Sequence, residues 1–126
     1  MDENQLSKII VESAIEVHRT LGGPGLLEGV YRDALGLEIE LRGPNVEREE
    51  LVPIKYKGHP IGSPLRLDLL VGRLVIVECK AAIDHNPIFE SQLLTYLRLT
   101  RLKLGLVINF GQRLVKNGIY RVVNGL

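Results

Sequence analysis

The spacing of apolar and polar residues predicts three helices separated by strands. Residues 3–20 repeat apolar positions at helical intervals and carry charges on the opposite face, as an amphipathic helix does. A second helix is predicted from near Leu26 to the Gly43-Pro44 pair that ends it. A third is predicted from Asn86-Pro87 to about Arg101, because proline suits the first position of a helix. The predicted buried face of the second helix consists of Leu27, Val30, Tyr31, Ala34, Leu37 and Leu41.

Short apolar runs between and after these helices predict strands. Residues 45–59 alternate as extended structure, where Pro53 indicates an edge strand or a bulge. Residues 69–71 and 74–77 are typical of two buried strands joined at Gly72-Arg73, and residues 105–110 and 114–123 predict two more. The order ααβββαββ predicts an α/β fold in which helices cover a mixed sheet. We expect residues 1–126 to form a single domain.

Charged residues flank the most apolar pair of predicted strands. Asp68 precedes the first strand, and Glu78 and Lys80 end the second. Strand alternation places Glu78 and Lys80 on one face and Cys79 on the other. Asp68 joins that face if the register is even, which requires an odd-length loop or a bulge with Gly72 at positive φ. Because an unpaired buried charge is costly, the two carboxylates and one ammonium group predict a metal site, with a structural ion-pair network as the alternative.

The donor types in this pattern narrow the choice of metal. Asp68 and Glu78 offer only oxygen ligands, and two acids beside one lysine leave the site negative. Oxygen ligands favour Mg²⁺ or Mn²⁺ over zinc. Cys79 is interpreted as a buried apolar residue on the back of its strand, without a role as a nucleophile.

Composition excludes several classes of protein. The 126 residues are 45% hydrophobic and 25% charged, as in ordinary globular proteins. A net charge of +1 argues against strong non-specific attraction to nucleic acids. A single cysteine excludes an internal disulfide and fits a reducing compartment, and no apolar run is long enough for a membrane span. We therefore expect a cytoplasmic protein with no membrane partner.

Three short motifs occur in a characteristic order along the chain. They are Gly25-Leu26-Leu27-Glu28-Gly29-Val30-Tyr31-Arg32, then Glu78-Cys79-Lys80 with Asp68 upstream, then Gln92-Leu93-Leu94-Thr95-Tyr96. From about His18 to Gly111 the chain resembles the PD-(D/E)XK nuclease superfamily and, within it, the small prokaryotic GxxExxxR proteins. It departs from the superfamily's name at Leu67, where that name has proline.

The resemblance implies a restriction-endonuclease-like three-layer sandwich and a nuclease that depends on Mg²⁺ or Mn²⁺. Asp68, Glu78 and Glu28 would be its metal ligands, and these three with Lys80 would be catalytic. Four further residues would support the metal site or position the substrate, namely Arg32, Gln92, Tyr96 and His18. Without the resemblance, four of the candidate site residues have a simpler interpretation. Glu28 and Arg32 would form an exposed ion pair, Tyr96 would pack in the core, and His18 would cap its helix.

The implied partner is a nucleic acid, with DNA favoured over RNA. We also expect a homodimer, because so small a domain supplies only half of the groove that a duplex requires. The alternative function is a catalytically weak or inactive nuclease-fold module that binds nucleic acid or a protein partner.

Overall fold

A mixed five-stranded sheet forms the centre of the molecule. The structure is a computed structural model that describes residues 1–126. The helices are α1 (Glu3–Thr20), α2 (Glu28–Leu41) and α3 (Ile88–Thr100). The strands are β1 (Val46–Val52), β2 (Lys55–Tyr56), β3 (His59–Pro60), β4 (Leu65–Val71), β5 (Val75–Lys80), β6 (Leu104–Asn109) and β7 (Ile119–Val123). A short 3-10 helix, Val115–Gly118, precedes β7.

The sheet has the order β1-β4-β5-β6-β7, and the strands β2 and β3 pair as a separate small hairpin. Only β5 and β6 run parallel, and α3 makes the crossover between them. Helices α1 and α2 cover one face of the sheet and α3 covers the other, so that each face has its own hydrophobic core. The predicted α/β fold with a mixed sheet flanked by helices is confirmed.

Local sequence signals explain where α1 and α3 begin. The Gln5 amide donates to Asp2 Oδ1 over 2.8 Å and the Asp2 amide donates to Gln5 Oε1 over 2.9 Å, which completes a capping box before α1. Before α3, the Ile88 amide donates to Asn86 Oδ1 over 3.0 Å, with Pro87 between them. Both predicted helices therefore lie where the sequence placed them, to within two residues.

The predicted buried face of α2 is wrong except at Tyr31 and at Ala34, which is half-buried and packs against the core. The residues that α2 buries are Tyr31, Leu35, Gly36 and Ile39, which recur mainly every four positions. Most of the predicted face is open to solvent, with relative exposures of 80% for Leu27, 44% for Val30, 56% for Leu37 and 73% for Leu41. The helix carries two apolar stripes, and the one anchored by the aromatic ring of Tyr31 meets the sheet. The predicted strand over residues 114–123 is also shorter than expected, because its first part forms the 3-10 helix.

Candidate active site

Asp68 and Glu78 lie opposite each other where the ladder between β4 and β5 ends. The last paired residues are Leu69 and Val77, and the connecting loop contains Gly72 and Arg73, both at positive φ. If the same pairing of residues is continued by one position, Asp68 of β4 lies opposite Glu78 of β5. The Asp68 amide donates to Glu78 Oε1 over 3.3 Å, and the Cys79 amide donates to Asp68 Oδ2 over 2.9 Å. The two carboxylates therefore occupy the fork between the strands, in place of further backbone hydrogen bonds.

The environment of Glu78 disfavours its negative charge. Its side chain is almost fully buried, with 7% of the residue exposed. Burial, and then the charge of Asp68, raise the pKa of Glu78 to about 8. The same two carboxylates, after burial, raise the pKa of Tyr96, which places the phenol of α3 within their electrostatic reach. A cation in this fork would therefore relieve the repulsion between the two carboxylates.

Lys80 lies on the same face of β5 as Glu78, two residues further along the strand. Its Nζ is 4.9 Å from the centre of the Phe89 ring of α3, and it forms no ion pair within 4.0 Å. Its ammonium group is therefore held near the carboxylates without being neutralised by a direct salt bridge.

Cys79 points into the opposite core, and burial raises the pKa of its thiol, so it stays protonated.

Glu28 and Arg32 lie in the first turns of α2. Glu28 is exposed and makes no hydrogen bond or ion pair, while Arg32 Nε lies 3.5 Å from Asp33 Oδ1. Although burial opposes it, the charges of Asp33 and Asp68 raise the pKa of Arg32, so its guanidinium interacts electrostatically with one carboxylate of the fork. No three histidine, cysteine, aspartate or glutamate side chains come close enough to hold a metal ion. The structure thus does not group Glu28 with Asp68 and Glu78, and its role as a ligand stays a prediction.

The remaining predicted residues occupy different surroundings. Gln92 is exposed on α3 and Tyr96 is half-buried against the core on that side of the sheet. His18 is 5% exposed, and its Nε2 lies 3.0 Å from the Phe110 carbonyl oxygen, with the rings of Tyr31 and Phe110 beside it. None of the three side chains hydrogen-bonds to Asp68 or Glu78.

Asn109 is a supporting residue that the sequence analysis did not identify. It is fully buried at the end of β6, and its Oδ1 accepts from the amides of Ala82 and Gly111 while its Nδ2 donates to the Ala82 carbonyl. The Phe110 amide also donates to the Lys80 carbonyl over 2.8 Å. These bonds fix the chain that leaves Lys80. An amide side chain directly after the buried run of residues 104–108 was the signal that could have revealed it.

The decisive comparison is with protein families. Residues 4–122 match the PD-(D/E)XK nuclease superfamily. The chain belongs to this superfamily. The match covers nearly the whole chain and includes all of the candidate site residues, so the resemblance at the level of the PD-(D/E)XK superfamily is confirmed. Comparison with curated proteins and with solved structures found no match. No helix is both long enough and apolar enough to cross a membrane.

Proposed function

We propose that this PD-(D/E)XK protein is a divalent-metal-dependent nuclease that hydrolyses phosphodiester bonds in nucleic acid, with DNA favoured over RNA. The observation that carries the proposal is the pair of carboxylates, Asp68 and Glu78, in the fork between β4 and β5 with Lys80 on the same face. A nuclease of this superfamily needs such a group of side chains beside the scissile phosphate.

The residues of the fork fit Mg²⁺ or Mn²⁺. Mg²⁺ is usually bound by one or two carboxylates, several waters and substrate phosphates, so Asp68 and Glu78 suffice as protein ligands. The raised pKa of Glu78 supports this fit, because a divalent cation would compensate the charge that burial and Asp68 disfavour. Glu28 is the third proposed ligand. One support for this role is that Glu28 is the glutamate of the GxxExxxR motif. The other is electrostatic: burial, Asp68 and Glu78 raise the pKa of the Cys79 thiol most, and the charge of Glu28 raises it further, so Glu28 acts on the same end of β5.

The position of each side chain supports the role that we propose for it. When bound, the metal ion would polarise the scissile phosphate and lower the pKa of a water molecule. Asp68 and Glu78 hold the ion, and the ammonium group of Lys80 orients the attacking water and stabilises the negative charge that develops on the phosphate. Arg32 contacts a substrate phosphate from the first turns of α2.

Three other side chains have supporting roles in this proposal. Gln92 and Tyr96 lie one turn apart on α3 and support the metal site from the side of Lys80. His18 acts more remotely, because it bonds to the carbonyl of Phe110, the residue whose amide donates to the Lys80 carbonyl.

Cleavage assays test this proposal directly. Single-stranded, duplex and branched DNA and RNA are incubated with Mn²⁺ or Mg²⁺, and the Glu78→Gln variant is compared with Asp84→Asn, which alters an exposed carboxylate outside the site. We expect Glu78→Gln to lower the cleavage rate more than about a hundredfold, because even outer partners of metal ligands are worth about 10–100-fold. Asp84→Asn should cleave normally. Cleavage that is insensitive to both chelation and Glu78→Gln would exclude the proposed site.

The alternative is a catalytically weak or inactive nuclease-fold module that binds nucleic acid or a protein partner. The net charge of +1 and the separation of Glu28 from the two carboxylates favour it. Metal affinity separates the two functions. A nuclease must bind Mn²⁺ in a manner that depends on Asp68 and Glu78, whereas binding of nucleic acid without such metal binding would establish the alternative.

We also propose a homodimer formed by an apolar stripe of α2, defined as Leu27, Val30, Ala34, Leu37 and Leu41, of which all but the half-buried Ala34 are exposed. Its spacing alternates three and four residues, as in the seam of a coiled coil. Two acids beside the second half of the stripe are already paired, since Glu38 Oε2 lies 2.7 Å from Arg42 Nε and Glu40 pairs with Arg48. Two copies related by a two-fold axis could thus pack this half of the stripe without repulsion between those carboxylates.

Two finer assignments complete the proposal. Within the superfamily we place the chain among the GxxExxxR proteins, on the strength of Gly25, Glu28 and Arg32 in α2 and the turn before it. We also propose that residues 1–126 act as one domain in the cytoplasm, where the single buried cysteine would stay reduced.

A further inference from the structure

A cavity of about 550 Å³ opens where α1 ends. Its walls come from the last turns of α1, from the glycine-rich turn at residues 22–24 and from the segment at residues 113–116. The side chains that matter below are Ile15, His18, Arg19, Arg113, Leu114 and Lys116. The volume lies within the range of about 300–1,000 Å³ that is typical of small-molecule sites, and far exceeds that of one phosphate ion.

His18 offers a free ring nitrogen to this cavity. The Phe110 carbonyl can only accept a hydrogen bond, so Nε2 of His18 must carry the proton in their 3.0 Å contact. In the neutral ring Nδ1 is then an acceptor, and it has no partner within the protein. Two fully enclosed side-chain polar atoms lack a hydrogen-bond partner, namely Glu47 Oε2 and His85 Nδ1. Nδ1 of His18 also lacks a partner but is not one of these enclosed atoms. It is therefore accessible, although His18 as a whole is 95% buried. Because His18 lines the cavity, its accessible Nδ1 can accept a hydrogen bond from a bound ligand.

Three cations surround the opening. Arg113 and Lys116 form no ion pair with any carboxylate, and Arg19 pairs only with the exposed Glu16. No aspartate or glutamate lines the cavity. The positive charges of Arg113 and Lys116 are therefore uncompensated at the opening. Ile15 and Leu114 add apolar surface beside it, being 42% and 44% exposed.

These features require a ligand with an anionic group, a hydrogen-bond donor and an apolar body. We propose that the cavity binds a phosphorylated nucleoside, either as a free mononucleotide or as the terminal nucleotide of a strand. The phosphate contacts Arg113, Lys116 and Arg19, and a sugar hydroxyl or base amino group donates to Nδ1 of His18. The base packs against Ile15 and Leu114. This site is distinct from the carboxylate fork and stands whether or not the protein cleaves nucleic acid.

Binding measurements on the full chain test the site. Adenosine 5′-monophosphate, adenosine, inorganic phosphate and a 5′-phosphorylated dinucleotide are titrated by calorimetry and by amide NMR, with EDTA present to exclude binding through a metal ion at Asp68 and Glu78. We expect the mononucleotide or the dinucleotide to bind at least about tenfold more tightly than adenosine or phosphate. Adenosine lacks the contacts of the phosphate group, and inorganic phosphate lacks those of the sugar and base. The amides of residues 113–116 should shift.

The variants replace exposed side chains, so that a loss of binding does not result from a loss of folding. Arg113→Ala combined with Lys116→Ala should weaken binding by at least about tenfold, as loss of charge-assisted hydrogen bonds requires. The matched control, Arg98→Ala combined with Lys103→Ala, removes two exposed cations elsewhere and should bind normally. Ile15→Glu should abolish binding by placing a carboxylate among the cations.

The two sources of the ligand are distinguished by the same titration. Tighter binding of the dinucleotide assigns the cavity to the end of a strand, and tighter binding of the monophosphate assigns it to a free nucleotide. Phosphate binding as tight as that of the nucleotides, or unchanged affinity in the Arg113 and Lys116 variant, would overturn the site.

Discussion

The carboxyl group of Glu78 binds a proton more tightly in the folded protein than in the unfolded chain. Burial and Asp68 raise its pKa from 4.5 to about 8, so between these values the folded protein holds a proton that the unfolded chain releases. The stability contributed by protonated Glu78 is thus complete below about pH 4.5 and is lost as the pH rises towards 8. We expect the unfolding free energy of the metal-free protein to fall by about 4 kcal/mol over this interval, at about 1.4 kcal/mol per pH unit except near its two ends.

Urea denaturation in EDTA at several pH values between 5 and 8 measures this effect. Glu78→Gln should remove this part of the pH dependence, because glutamine does not titrate. Adding Mg²⁺ or Mn²⁺ at pH 8 should restore stability in the unsubstituted protein but not in the variant, since ligand binding stabilises the folded state. Identical pH profiles for the two proteins would show that Glu78 does not carry the proton.

Lys80 provides a second test at the scale of one residue. Lys80→Met keeps most of the aliphatic chain but removes the ammonium group, which forms no ion pair and lies over the Phe89 ring. We expect stability to fall by no more than about 1 kcal/mol, the value of an exposed cation–π contact, while cleavage falls by at least about a hundredfold. Thermal melting and single-turnover cleavage give the two values. Normal cleavage by a folded Lys80→Met protein would exclude Lys80 from the chemistry.

At the scale of elements, periodicity predicted helices well but could not decide which face of α2 is buried. The stripe from Leu27 to Leu41 has the more regular spacing, yet Tyr31, Leu35 and Ile39 meet the sheet. The choice depends on long-range packing. For example, Gly36 admits the guanidinium of Arg48 from β1, whose nearest atom would lie 2.8 Å from an added Cβ. The spacing of apolar residues within α2 carries no information about such contacts between distant segments.

The same distinction explains which parts of the candidate site could be predicted. Asp68 and Glu78 are joined by one short hairpin, so strand alternation and the length of the loop determine that they meet. Glu28 belongs to a helix whose placement on the sheet is set by tertiary packing, and its distance from the fork could not be derived locally. Asn109 was missed for a similar reason, because its partners at Ala82 are 27 residues away.

Asn109 connects the ends of β5 and β6, and its replacement tests this connection. Asn109→Leu keeps the number and branching of the side-chain heavy atoms but leaves the amides of Ala82 and Gly111 and the carbonyl of Ala82 without their partner. We expect a loss of about 2–4 kcal/mol in unfolding free energy, because unsatisfied buried groups cost about 1–3 kcal/mol each and some will reach water. Urea denaturation measures this loss. Asn117→Leu, at an exposed position in the 3-10 helix, is the control and should change stability little.

At the scale of the whole molecule, the proposed functions lie at one end of the sheet and the proposed interface lies along a helix. The carboxylate fork and the cavity beside His18 are connected through Phe110, which bonds to Lys80 through its amide and to His18 through its carbonyl. The stripe of α2 begins at Leu27, next to Glu28, and continues for about 20 Å at 1.5 Å per residue. Pairing through this stripe would therefore bring the first turns of both α2 helices, with their Glu28 and Arg32 side chains, into one assembly.

The dimer is the prediction that decides between substrates. Leu37→Glu combined with Leu41→Glu places charges in the stripe, and we expect it to convert a dimer at tens of micromolar into a monomer with unchanged melting temperature, since both side chains are more than half exposed. Sedimentation velocity measures the change. Ile83→Glu is the matched control, because Ile83 is 89% exposed but lies outside α2. A monomer in the unsubstituted protein at these concentrations would contradict the dimer. A single carboxylate fork would then act on single strands or strand ends, since cutting both strands of a duplex at one site requires two such centres.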